Sequence, residues 1–303
     1  MSTTLLLTLV GLIAVASIVA AIATFARMSR AFLRSPSRRP KDSPQTAGLD
    51  GGAFAIPTAD GAVRGWRLRD PSVARADLPI VILTHGWAAA ASDMYSWAAP
   101  LVRAGYEVIV YDVLGHGVSD ERELTSIAHF VIDLRAVCAW ARAHSPAGLV
   151  LFGHSLGGGA AIVAAAERDD LRALIVAAAP SDPADVTAEW LDQKGRPGGL
   201  IVAGMRPFWR RLIPEPYETV VPRTRIREVR MPILILHGDA DKQVNIRHAR
   251  TLAAAQPRAQ LEVFAGGDHF SLPRDPRYAT VITEFLDRAL AGHHGAKARA
   301  GKD

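Results

Sequence analysis

The sequence predicts an α/β fold in which a mostly parallel sheet carries helices on both faces, preceded by one N-terminal transmembrane helix. Three observations predict it. Short runs rich in Val, Ile and Leu at 79–84, 106–111, 149–152, 171–179, 233–236 and 261–264 read as buried strands. Helical segments separate them. The clearest is 124–144, where Ile127, Phe130, Val131, Leu134, Val137, Cys138 and Ala141 form one apolar stripe. Ahead of both lies a nearly unbroken apolar run from Leu5 to Ala26, and crossing a bilayer takes roughly 20 residues.

Taken in order, the run at 5–26 is interrupted only by Thr8, Ser17 and Thr24. A cleaved signal peptide is the rival reading, but it needs a positive n-region and a shorter apolar core, and only the α-amino group precedes this run. Arg27, Arg30, Arg34, Arg38, Arg39 and Lys41 all follow it, so the positive-inside rule puts the bulk of the chain in the cytoplasm. Residues 27–52 are expected to form a basic, flexible linker, because Pro, Ser, Gly and charge crowd its second half without periodicity.

Residues 53–292 are then one domain. A chain of 303 residues, 49% of them hydrophobic, can bury a substantial core. Further expected elements are a strand at 62–69 and helices at 95–104, 249–255 and 279–291. Residues 180–225 break the rhythm with Pro183, Pro197, Pro207, Pro214, Pro216 and Pro222 among Trp190, Phe208 and Trp209. They read as an inserted cap of short helices. Residues 293–303 are expected to be a disordered tail. The formal charge of +5 is concentrated beside the apolar run, which suits a membrane surface. No nucleic-acid-binding signature is present. The single cysteine, Cys138, excludes an intramolecular disulfide and lies on an apolar stripe as a buried thiol.

The chemistry centres on 149–159. Here a strand runs into Gly153-His154-Ser155-Leu156-Gly157, a G-x-S-x-G turn, and on into a helix that begins with small residues. A serine hydroxyl is a weak nucleophile until a base takes its proton. His269 is the candidate base, on the loop after the last strand. An imidazole base needs a carboxylate to hold its tautomer, and the loop after strand 233–236 offers Asp239 and Asp241. Asp239 lies near the strand end, where it could cap the turn; Asp241 lies deeper in the loop, with room to reach His269. An oxyanion hole would use the N–H groups of Leu156, after the nucleophile, and of Trp87, after strand 79–84. His85 and His154 are supporting residues, and Asp112, His116 and Asp120 shape a turn-rich loop. No cofactor and no metal are expected.

These pieces together resemble the α/β-hydrolase superfamily, in its serine-hydrolase branch of lipases, esterases and related peptidases. The matching residues are His85-Gly86-Trp87, Asp112 to Asp120, Gly153 to Gly157, His237 to Val244 and Gly267-Asp268-His269. The loop from Asp112 to Asp120 is similar to one in the monoacylglycerol-lipase and serine-aminopeptidase-like group. The resemblance implies an α/β-hydrolase fold with a small cap, and a triad of Ser155, Asp241 and His269. It favours Asp241 through a His-Gly-x-x-Asp-x-x-Val pattern. The expected activity is cleavage of a small-molecule acyl ester by a membrane-anchored serine hydrolase, with membrane lipid as neighbour and no nucleic acid as partner. An acyltransferase, thioesterase or peptidase on the same triad, or a non-catalytic binding protein, are the alternatives. The apolar and aromatic cap residues point to medium or long acyl chains; packing of the cap onto the sheet is the competing reading of the same side chains.

Overall fold

The computed structural model describes residues 2–36 and 42–300, with 292–300 described as backbone only. The chain opens with helix α1 (Thr3–Leu33), followed by strands β1 (Gly51–Thr58), β2 (Gly61–Leu68) and β3 (Ile80–Thr84). Helix α2 (Tyr95–Arg103), strand β4 (Val108–Asp112), helix α3 (Ile127–Arg142), strand β5 (Leu149–His154), helix α4 (Leu156–Ala166) and strand β6 (Leu171–Ala177) come next. Helices α5 (Pro183–Asp192), α6 (Gly198–Leu212) and the single turn α7 (Pro222–Arg225) stand between β6 and β7 (Ile233–Gly238). Helix α8 (Arg247–Ala255), strand β8 (Gln260–Phe264) and helix α9 (Tyr278–Ala300) complete the chain.

The strands form one sheet in the order β1-β2-β4-β3-β5-β6-β7-β8. The β1–β2 and β2–β4 pairings are antiparallel, and every pairing from β4 to β8 is parallel. Parallel strands need covered faces, and alternation along each strand supplies two of them. Ile80 and Ile82, with Leu149 and Leu151, join the core under α3, α4 and α8. Val81 and Leu83, with Val150 and Phe152, join the core under α2 and α9. Cys138 lies fully buried in the first core, where burial pushes its thiol up to about 12, so it stays protonated and packs as an apolar group.

The structure departs from the sequence reading in three places. Residues 27–33, expected in a flexible linker, continue α1. Phe25, Met28, Phe32 and Leu33 recur at helical spacing and pack on Val202, Met205 and Trp209 of α6, while Arg27, Arg30 and Arg34 face outward. The linker's Arg38, Arg39 and Lys41 lie outside the described residues. Strand β1, unexpected from the sequence, pairs along its whole length with β2 and carries Pro57 on the sheet edge, where its missing N–H costs no ladder bond. Helix α9 runs to Ala300 through most of the expected disordered tail, with no proline to stop it; residues 301–303 lie outside the described residues. From Leu5 to Ile22 the large apolar side chains of α1 are exposed, as a bilayer-facing helix requires.

Candidate active site

The parallel register lines up the strand ends. Thr84 on β3 pairs with Gly153 on β5, His154 with Ala177 on β6, and His237 on β7 with Val263 on β8. The loops leaving β3, β5, β7 and β8 therefore emerge along one edge, the carboxyl edge at which open parallel sheets collect their sites.

Ser155 stands between β5 and α4 at φ 54°, ψ −125°. A non-glycine residue in that region stores roughly 1–3 kcal/mol and persists only where its surroundings hold it. Its N–H donates to the Ala177 carbonyl at 2.9 Å, and its own carbonyl accepts from the N–H of Gly158 at 2.9 Å. The flanking glycines are spatial requirements. A Cβ at Gly153 would fall 2.3 Å from the Gly157 oxygen, and one at Gly157 would fall 2.3 Å from the His85 oxygen. Gly86 is equally confined, since a Cβ there would lie 2.8 Å from Ser155 Cβ. The loop after β3 thus lies directly against Ser155.

His269 is buried and directs Nδ1 at Asp241 Oδ2, 2.7 Å away. Asp241 Oδ1 accepts the N–H groups of Gln243 at 2.8 Å and Val244 at 2.9 Å. Burial works to raise the Asp241 carboxyl, but the His269 hydrogen bond and charge and the two backbone donors together hold it below the ordinary value. An ionised carboxylate against Nδ1 fixes the proton there and leaves Nε2 as the basic nitrogen. Asp239 does something else: its Oδ1 accepts from the Gly266 N–H at 2.7 Å on an exposed turn.

The remaining predicted residues are braces. His85 joins two loops, its Nδ1–H donating to the Gly86 carbonyl at 2.7 Å and its Nε2 accepting from the Val113 N–H at 3.0 Å. Burial pushes its pKa down to about 4, so the imidazole is neutral and these roles are fixed. His154 Nε2–H donates to the His269 carbonyl at 2.8 Å and its ring lies 4.7 Å from the His269 ring, which holds His269 from behind. Asp112 accepts the N–H groups of Ala91 at 2.7 Å and Val118 at 3.0 Å. Asp120 accepts from Ala62 N–H at 2.7 Å. His116 packs edge-on against Trp87, ring centroids 5.8 Å apart.

Ser155, Leu156, Trp87 and His269 all line one cavity of about 770 Å³. The cap closes it with Trp190, Trp209, Ile213 and Tyr217, so part of the apolar set expected there faces the cavity. Val202 and Met205 instead pack the cap's own core, and Leu200 is exposed. Two wall residues, Phe32 and Leu33, come from α1. The sequence held a signal for them in the helical spacing of Phe25, Met28, Phe32 and Leu33, hidden by the interleaved arginines.

The fold is that of the α/β-hydrolases. Residues 77–214 match the family described as serine aminopeptidase, S33. An uncharacterized protein of Mycobacterium tuberculosis is 36% identical over 70 residues, 23% of this chain; the match covers a fifth of that protein, 20% of its length. Among solved structures, an esterase from Pyrococcus furiosus superposes with a TM-score of 0.67 at 19% identity, over 84% of this chain and 97% of its own. A bacterial membrane phospholipase A superposes with a TM-score of 0.58 at 18% identity, over 95% of this chain and 99% of its own. The chain has the α/β-hydrolase fold, and its residues 77–214 are similar to the serine aminopeptidase, S33 family.

Proposed function

We propose that the protein is a membrane-anchored serine hydrolase that cleaves a carboxylic ester. The observation that carries the proposal is the buried Asp241–His269 pair, 2.7 Å apart, opening onto the cavity that Ser155 also lines. In this reading Ser155 Oγ attacks the acyl carbon and its proton passes to His269 Nε2, while Asp241 stabilises the imidazolium through Nδ1–H. The N–H groups of Leu156 and Trp87 hold the oxyanion, each donor typically being worth around 3 kcal/mol. The tetrahedral intermediate collapses, His269 gives its proton to the leaving alcohol oxygen, and an acyl-Ser155 remains. Water, deprotonated by His269, then attacks the acyl carbon and releases the acid.

An ester is favoured over an aminopeptidase substrate by the cavity's lining. An aminopeptidase must hold an α-ammonium group, which calls for a carboxylate. Among the described residues lining the cavity there is no Asp or Glu, and Lys242 is cationic. The wall is otherwise mostly apolar, which suits an acyl chain. The names of two structural neighbours, an esterase and a membrane phospholipase A, agree with this reading. The exposed apolar length of α1 supports anchoring, and the arginines that follow it support a cytoplasmic catalytic domain. Ester turnover by Ser155→Ala tests the proposal: a loss of several orders of magnitude in kcat is expected, and near-wild-type turnover would refute it.

A further inference from the structure

Helix α1 does not end where it would leave a membrane. It runs on as one helix and docks on the catalytic domain from two sides. On the cap side, buried Ser29 donates from Oγ to the Met205 carbonyl at 3.3 Å, and the Phe25 ring lies so close to α6 that a Cβ at Gly204 would fall 2.4 Å from it. Phe32 packs edge-on against Trp190, centroids 5.9 Å apart. On the other side, the Thr125 N–H donates to the Leu33 carbonyl at 2.7 Å, the Ser35 N–H donates to the Glu123 carbonyl at 3.0 Å, and Arg34 bridges to Leu124. The chain just beyond α1 is thus paired with the segment before α3. Thr125, Ser126 and Ile127 of that same segment line the Ser155 cavity alongside Phe32 and Leu33.

The length of α1 also bounds the depth. Phe32 lies six residues beyond Ala26, the end of the apolar run, so at 1.5 Å per residue it stands about 9 Å from the hydrocarbon edge. The headgroup layer of one leaflet is about 5–8 Å thick. With residues 5–26 spanning the bilayer upright, a wall of the cavity sits at the membrane surface on the same continuous helix.

We infer that the last turns of α1 are part of the acyl-chain site, with Phe32 and Leu33 determining the length of chain accepted from a medium- or long-chain ester at the bilayer surface. The inference rests on the serine-hydrolase reading above. A soluble enzyme with a tethered anchor would use only the sheet loops and cap for this purpose. Here the membrane helix supplies the wall, so anchoring and chain-length selection are one structural feature.

The test uses the full chain reconstituted in phosphatidylcholine nanodiscs, with p-nitrophenyl butyrate, laurate and palmitate as substrates. Intact sites are counted by fluorophosphonate titration. Leu33→Trp, which fills the cavity at α1, should lower the laurate-to-butyrate ratio of kcat/KM at least tenfold. Phe32→Ala, which empties it, should raise the ratio for palmitate over laurate several-fold. Leu12→Ala, on the bilayer-facing stretch, should change neither ratio. Because each ratio is taken within one protein, partial misfolding cancels. Ratios within twofold of wild type in both wall variants would overturn the inference while leaving the hydrolase reading standing. Turnover that survives Ser155→Ala would instead overturn the hydrolase reading itself.

Discussion

Asp241→Asn changes one atom of the candidate relay and leaves its shape intact. The asparagine carbonyl oxygen can still accept from Gln243 and Val244, as Asp241 Oδ1 does at 2.8 and 2.9 Å. What changes is the group 2.7 Å from His269 Nδ1, which becomes an NH2 donor instead of a carboxylate. Two donors cannot share that contact, so the imidazole proton moves to Nε2, the nitrogen that must receive the Ser155 proton. In a serine-protease triad the equivalent replacement lowers kcat about 10⁴-fold, or about 5 kcal/mol at 1.36 kcal/mol per decade. The same loss is expected here. The fold should lose only one charge-assisted hydrogen bond, about 1.5–3 kcal/mol. Asp239→Asn is the control, because its contact with the Gly266 N–H at 2.7 Å survives the replacement and the turn is exposed. It should cost less than about threefold, as an ordinary surface substitution does. The assay is kcat/KM for p-nitrophenyl butyrate with the full chain in detergent, paired with melting curves. A folded Asp241→Asn protein within tenfold of wild type, or a larger loss from Asp239→Asn, would refute the reasoning.

Three further outcomes are expected. Gly157→Ala should abolish fluorophosphonate labelling and lower the melting temperature sharply, because the new Cβ would meet the His85 and Thr84 carbonyl oxygens at 2.3 and 2.4 Å; a stable, labelled variant would contradict the tight elbow. Stability should fall as pH drops below 6.5. Burial depresses His85, His116, His154 and His248 to about 4, 3, 3 and 4, whereas the unfolded chain titrates near 6.5. The unfolded state then binds more protons, so the stability present above pH 6.5 is lost as pH falls. At pH 5.5 each imidazole costs on the order of 1 kcal/mol, and Asp112, which burial raises to about 6, offsets part of the sum. Melting should therefore come about 10 °C lower at pH 5.5 than at pH 7.5, and a difference under about 2 °C would contradict it. Finally, the full chain should stay in the membrane pellet after a carbonate wash; release into the supernatant would remove the anchor.

The sheet was legible because its strands are buried on both faces: runs such as Ile80–Thr84 and Leu149–His154 have no polar face to confuse them with loops. The elbow was legible because close backbone approach leaves glycine as the only residue that fits at 153 and 157. What was not legible depends on long-range packing. Strand β1 is an edge strand whose Gly-Gly-Ala-Phe-Ala-Ile lacks the apolar density of the interior strands, and only β2 beside it makes it a strand. The last turns of α1 looked like linker because arginines interrupt them, and their apolar face becomes meaningful only once α6 lies against it. Asp241 was preferred over Asp239 through the His-Gly-x-x-Asp-x-x-Val pattern of the resemblance, while the contact with His269, 28 residues away, came only with the structure.

The central claim is that Ser155 is the nucleophile of an acyl-transfer reaction, and mass spectrometry of the fluorophosphonate-treated protein tests it most directly. The account predicts a single stoichiometric adduct on the peptide carrying Ser155, formed at a rate that collapses in Asp241→Asn. An adduct on another serine, or none on a folded protein, would contradict it.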